Sequence, residues 1–80
     1  MVRINIYITS YNDEIIEEVE NRLSELGKIL RKSRSSVVPQ FHFYRLETDT
    51  DKVESIENLL REYEMKDLIS WYKVEETLSD

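Results

Sequence analysis

The sequence predicts an α+β plait, a four-stranded antiparallel sheet with two helices on one face. Three observations carry that expectation. Ile4-Asn5-Ile6-Tyr7-Ile8-Thr9 alternates strictly, with isoleucines on one side and Asn5, Tyr7 and Thr9 on the other, the period of a half-buried strand. Two longer stretches repeat apolar residues every three or four positions, the period of an amphipathic helix. The other strand-like runs complete the order strand, helix, strand, strand, helix, strand.

The first strand is read as Val2 to Thr9. Asn12 is a good N-cap, and Asp13 and Glu14 suit the positive end of the helix it opens. That helix puts Ile15, Ile16, Val19, Leu23 and Leu26 on one stripe. Gly27 then reads as its C-cap, in a left-handed turn that glycine tolerates. The second strand is Lys28 to about Arg34, with Ser33-Arg34-Ser35-Ser36 a turn or frayed end. Pro39 precedes the third strand, Phe41 to about Thr48, where a missing N–H is tolerated. Asp51 with Glu54 forms a capping box, or Thr50 caps instead. The second helix carries Val53, Ile56, Leu59, Leu60 and Tyr63 and ends near Met65. The fourth strand is placed at Leu68 to Glu75, and residues 77–80 are a loose tail. Two βαβ units in one small domain make the ferredoxin-like βαββαβ plait. Right-handed crossovers give the strand order 4-1-3-2 with both helices on one face.

Eighty residues is one domain, 1–80, with a modest core and a net stability of about 5–10 kcal/mol. The absence of cysteine excludes disulfides, thiolate metal sites and thiol catalysis, and a reducing cytoplasm is the default location. Met1-Val2-Arg3-Ile4 shows no signal peptide, and no apolar run approaches a membrane span.

So short a chain can cover only one face of its sheet. In the third strand, turning Tyr44 and Leu46 inward takes His42 inward and leaves Phe41, Phe43 and Arg45 outside. The opposite register would bury Arg45, which costs more than burying a neutral histidine. In the fourth strand the alternation places Leu68, Ser70, Tyr72 and Val74 inside and Ile69, Trp71 and Lys73 outside. The open face is therefore expected to present Tyr7, Phe41, Phe43, Ile69 and Trp71, with a basic rim of Arg3, Arg31, Lys32, Arg34, Arg45 and Lys73. The helices carry most of the acidic residues. The net charge of −6 thus conceals a basic sheet side.

Catalytic constellations are weak. His42 is the only histidine, and no second imidazole or thiolate exists to complete a metal site. Pairs such as Glu17-Glu18 and Glu75-Glu76 are solubilising charge with nothing to shift their pKa values. Ser33, Ser35 and Ser36 precede His42, but no third orienting group accompanies them. With Gly27 the only glycine, a phosphate loop cannot form. The expectation is no enzyme, no metal and no cofactor.

An exposed apolar patch of this kind marks an interaction surface. The leading expectation is a small interaction or regulatory module, viral or accessory. Its open face docks on a second copy, as a homodimer, or on another protein, with Tyr7, Phe43 and Trp71 as anchors.

The alternative is a single-stranded RNA-binding protein. Ile6-Tyr7-Ile8-Thr9-Ser10-Tyr11 is similar to the first-strand signature of the RNA-recognition motif family, and Leu26-Gly27-Lys28-Ile29 to the end of its first helix. Phe41-His42-Phe43-Tyr44-Arg45-Leu46, followed by Glu47-Thr48, resembles part of its third-strand signature. The resemblance implies that Tyr7, Phe41 and Phe43 stack on bases while the basic rim meets phosphates.

Overall fold

The computed structural model of the chain describes residues 1–77. Its elements are β1 (Val2–Thr9), α1 (Asp13–Leu26), β2 (Lys28–Arg34), β3 (Phe41–Thr48), a 3-10 turn (Thr50–Lys52), α2 (Val53–Met65) and β4 (Trp71–Thr77). The sheet order is β2-β3-β1-β4 with every neighbour antiparallel. This is the expected 4-1-3-2 order read from the other edge, so the chain has the ferredoxin-like α+β plait.

The alternation in β1 becomes burial. Ile4, Ile6 and Ile8 are 0% exposed and meet Ile16, Val19 and Leu23 of α1 and Ile56, Leu59, Leu60 and Tyr63 of α2. In β3 the inward residues are His42, Tyr44 and Leu46, as the cost of burying Arg45 requires. The fold measures 31 × 26 × 18 Å between Cα extremes. Its shortest dimension is that of a sheet and one helical layer packed about 10 Å apart. Among the described residues, no layer covers the opposite face of the sheet.

Both helix starts differ in kind. Asn12 caps α1 as expected, its Oδ1 accepting from the N–H of Glu14 at 2.9 Å and of Ile15 at 3.4 Å. The capping box expected at Asp51 and Glu54 is absent. The chain enters α2 through the 3-10 turn, which satisfies backbone groups itself and has no side-chain cap.

Gly27 does not adopt a left-handed turn. Its backbone is extended, with φ −173° and ψ −173°. Glycine is needed there for space. A Cβ would lie 2.6 Å from the Glu47 carbonyl oxygen and 2.9 Å from Thr48 Cβ. The close approach lets the buried Thr48 hydroxyl donate to the Leu26 carbonyl at 2.7 Å, tying the end of α1 to β3.

The left-handed residue is Asp67, with φ 61°. The Asp67 N–H donates to the Glu64 carbonyl and the Leu68 N–H to the Tyr63 carbonyl. This is the hydrogen-bond pattern of a Schellman C-cap, built on aspartate instead of glycine. It turns the chain sharply, and β4 begins at Trp71 instead of Leu68. The alternation expected from Leu68 onward therefore fails at its start. Ile69, expected outside, is 2% exposed and part of the core, while Leu68 is 37% exposed. From Trp71 the pattern is as expected, with Tyr72 and Val74 packed against the core. Thr77, read as tail, belongs to β4 and donates from its hydroxyl to the Arg3 carbonyl at 3.0 Å. The rest of the expected tail, 78–80, lies outside the described residues. Among those described, no helix is long and apolar enough to cross a membrane.

Candidate interaction face

The open face is built from alternate residues of four strands. β1 contributes Arg3, Asn5, Tyr7 and Thr9, and β3 contributes Phe41, Phe43, Arg45 and Glu47. Their register pairs Tyr7 with Phe43, Thr9 with Phe41 and Asn5 with Arg45. Across the other edge of β1, Thr9 pairs with Trp71, Tyr7 with Lys73 and Asn5 with Glu75.

This register gathers four rings at one end. The Tyr7 and Phe43 centroids are 5.2 Å apart with planes inclined by 51°. Tyr7 and Phe41 lie 6.1 Å apart at 24°, and Phe41 and Trp71 6.3 Å apart at 25°. Phe41 and Trp71 sit on β3 and β4, on either side of β1, and meet over the small side chain of Thr9. Each such ring pair contributes about 0.5–1.5 kcal/mol beyond area burial. Tyr7, Phe41 and Phe43 are half-buried by mutual contact, whereas Trp71 is 44% exposed.

The other end is charged. Arg3 pairs with Glu47 at 3.6 Å and Lys73 with Glu75 at 3.8 Å, and the Tyr7 hydroxyl reaches Glu75 at 3.4 Å. Arg45 donates from Nε to Asn5 Oδ1 at 3.2 Å. Asn5 is buried although it faces outward, because Arg45 lies over it. Its role was not visible in the alternation, which shows only that it faces away from the helices. β2 adds Lys28 and Arg31, which stand opposite Glu47 and Arg45. The face carries Arg3, Lys28, Arg31, Arg45 and Lys73 against Glu47 and Glu75, a surplus of three positive charges on a chain of net charge −6.

Three expected members of this face lie elsewhere. Ile69 is in the core for the reason given above. Lys32 and Arg34 stand opposite Tyr44 and His42, on the helix side of the sheet. A β-bulge between Ile29 and Arg31 inserts Leu30 and inverts the alternation beyond it. Arg31 is thereby brought to the open face, and Lys32 and Arg34 are taken from it. Lys32 Nζ meets Glu20 Oε2 at 2.6 Å, and Arg34 meets Asp13 Oδ1 at 3.0 Å, both carboxylates being on α1.

These two cations border a groove of about 330 Å³ between α1 and β2, which also touches His42 and Tyr44. His42 is 5% exposed, and its Nε2 has no hydrogen-bond partner among the described residues. Burial, and secondarily the Arg34 guanidinium, hold its pKa below the usual histidine value, against the pull of Asp13 and Glu20. Burial and the neighbouring Glu20 carboxylate push the Tyr44 hydroxyl well above its ordinary range. Both groups are held neutral near pH 7. No three metal-ligating side chains cluster among the described residues.

No family model, curated protein or solved structure matches the chain. The resemblance to the RNA-recognition motif family therefore rests on residues 6–11, 26–29 and 41–48 alone.

Proposed function

We propose that this chain is a non-enzymatic interaction module that binds an acidic protein partner through the open face of its sheet. The observation that supports it best is the row Trp71, Phe41, Tyr7 and Phe43, side by side, covered by no layer among the described residues and bordered by the cations of the same face. Aromatic rings grouped with arginine are the composition of interface hot spots. The positive surplus opposes the docking of two open faces and favours a partner with carboxylates around an apolar centre. Apolar side chains of that partner cover the rings, and its carboxylates meet Arg45, Arg31 and Lys28.

A second reading has its own support. Tyr7 stands directly opposite Phe43 across the two central strands, and the same cations suit a phosphate backbone. Single-stranded RNA then takes the place of the acidic partner.

An NMR titration separates the two, using acidic peptides that contain tryptophan or leucine and, in parallel, mixed-sequence RNA oligonucleotides. The protein reading expects peptide-induced shifts at Tyr7, Phe43, Trp71 and Arg45, lost in Tyr7→Ala with the fold retained. The RNA reading expects shifts from oligonucleotides at the same residues, weakening steeply with salt. Shifts confined to the helical side with both probes would sink both readings.

A further inference from the structure

The two edges of the sheet are not alike. β2 is interrupted by the bulge at Leu30 and carries Lys28, Arg31, Lys32 and Arg34, devices that discourage pairing with another strand. β4 has neither a bulge within Trp71–Thr77 nor a proline, and is rich in aromatic and β-branched residues. It is a regular strand whose outer side pairs with no other strand among the described residues.

We propose that β4 pairs antiparallel with β4 of a second copy of this chain, about a two-fold axis through Val74, making one continuous eight-stranded sheet. Hydrogen-bond direction permits this axis. The Ser10 N–H donates to the Gln40 carbonyl, so even-numbered residues of β1 address β3 and odd-numbered ones address β4. Their partners Trp71, Lys73, Glu75 and Thr77 are thus satisfied by β1. The N–H and C=O groups of Tyr72, Val74 and Glu76 point to the free edge. The axis through Val74 joins Val74 to the partner's Val74, and Tyr72 to the partner's Glu76, each pair exchanging both bonds.

Charge selects this register over its neighbours. Centred on Val74, Lys73 stands opposite the partner's Glu75 and Glu75 opposite the partner's Lys73, and the whole of Trp71–Thr77 is paired. Moving the centre to Lys73 sets that lysine against its own copy, and moving it to Glu75 sets two carboxylates together. Like charges directly opposite are destabilising, and opposite charges are favourable. Of these three centres, only the midpoint sets unlike charges opposite each other and pairs the strand over its whole length. The association uses the edge of the sheet and leaves Tyr7, Phe41 and Phe43 uncovered, so it stands independently of the partner proposed for the open face.

Sedimentation equilibrium over a dilution series, combined with amide exchange, tests the proposal. The wild-type chain is expected to shift from monomer to dimer with concentration. In the dimer the amides of Tyr72, Val74 and Glu76 become protected, while those of Lys73 and Glu75 are protected in both states. Lys73→Glu and Glu75→Lys each weaken the dimer by about tenfold or more, and the double exchange restores it. Val74→Pro abolishes it with the fold retained by circular dichroism, since the N–H removed points away from β1. Tyr7→Ala leaves it unchanged. A chain that stays monomeric at about millimolar concentration would overturn the proposal. So would a dimer whose Val74 amide exchanges freely, or one lost in Tyr7→Ala but indifferent to the charge exchanges.

Discussion

Two single residues carry more of this fold than their size implies. Gly27 is required by the backbone of β3 and not by its own dihedral angles. Gly27→Ala is expected to destabilise the chain by about 1–3 kcal/mol, because the 2.6 Å approach to a carbonyl oxygen cannot be relieved by a side-chain rotation. A chemical denaturation midpoint checks this. His42 behaves in the opposite sense, as a buried imidazole whose Nε2 has no partner among the described residues. Its folded pKa lies below the unfolded value of 6.5. Above that value both states are neutral and its contribution is complete. As pH falls below 6.5 the unfolded chain takes up the proton first, and stability declines through the folded pKa. His42→Leu is expected to gain about 1 kcal/mol at neutral pH by removing the orphaned group, and to flatten the loss between pH 7 and 5. Thermal melts at the two pH values are the measurement. An unchanged pH slope in the variant would refute the assignment.

At the scale of elements, the approach to β4 shows where periodicity stops being a guide. A two-residue alternation counted back from Trp71 puts Leu68 inside and Ile69 outside, and the structure has the reverse. The cause is the Schellman turn at Asp67, which changes the chain direction before the strand begins. Ile69→Ala is expected to cost about 2–5 kcal/mol and Leu68→Ala about 1 kcal/mol or less. A larger loss at Leu68 than at Ile69 would support the alternating reading. Asp67→Gly is expected to stabilise by about 1 kcal/mol, since the left-handed conformation penalises any residue with a Cβ. The same lesson holds in β2. A single inserted residue, Leu30, moves Lys32 and Arg34 to the helix side, where α1 supplies carboxylates for both.

At the scale of the molecule, one layer of helices on one side of a sheet leaves charge and rings divided between two surfaces. Trp71 is the only tryptophan and lies on the open face, so its fluorescence reports the cover of that face. Free chain is expected to show solvated indole emission that iodide quenches. Binding of an acidic partner should shift the emission to the blue and protect it from quenching. Emission that stays unaltered in a saturated complex would mean that the partner docks elsewhere.

The sequence by itself determined the order of elements, the sheet topology, the inward faces of β1 and β3 and the two helical stripes. These follow from local periods and from one large energetic difference, the cost of burying Arg45 against that of His42. It also placed Tyr7, Phe41, Phe43 and Trp71 on one face. Only the tertiary structure decided that their rings touch over Thr9, that Asn5 holds Arg45 in place, and that Ile69, Lys32 and Arg34 belong to the other side. Those outcomes depend on a bulge and a left-handed turn. Each is a single-residue departure from a regular period, stabilised by contacts with distant parts of the chain, and neither leaves a mark in the local pattern of apolar and polar residues.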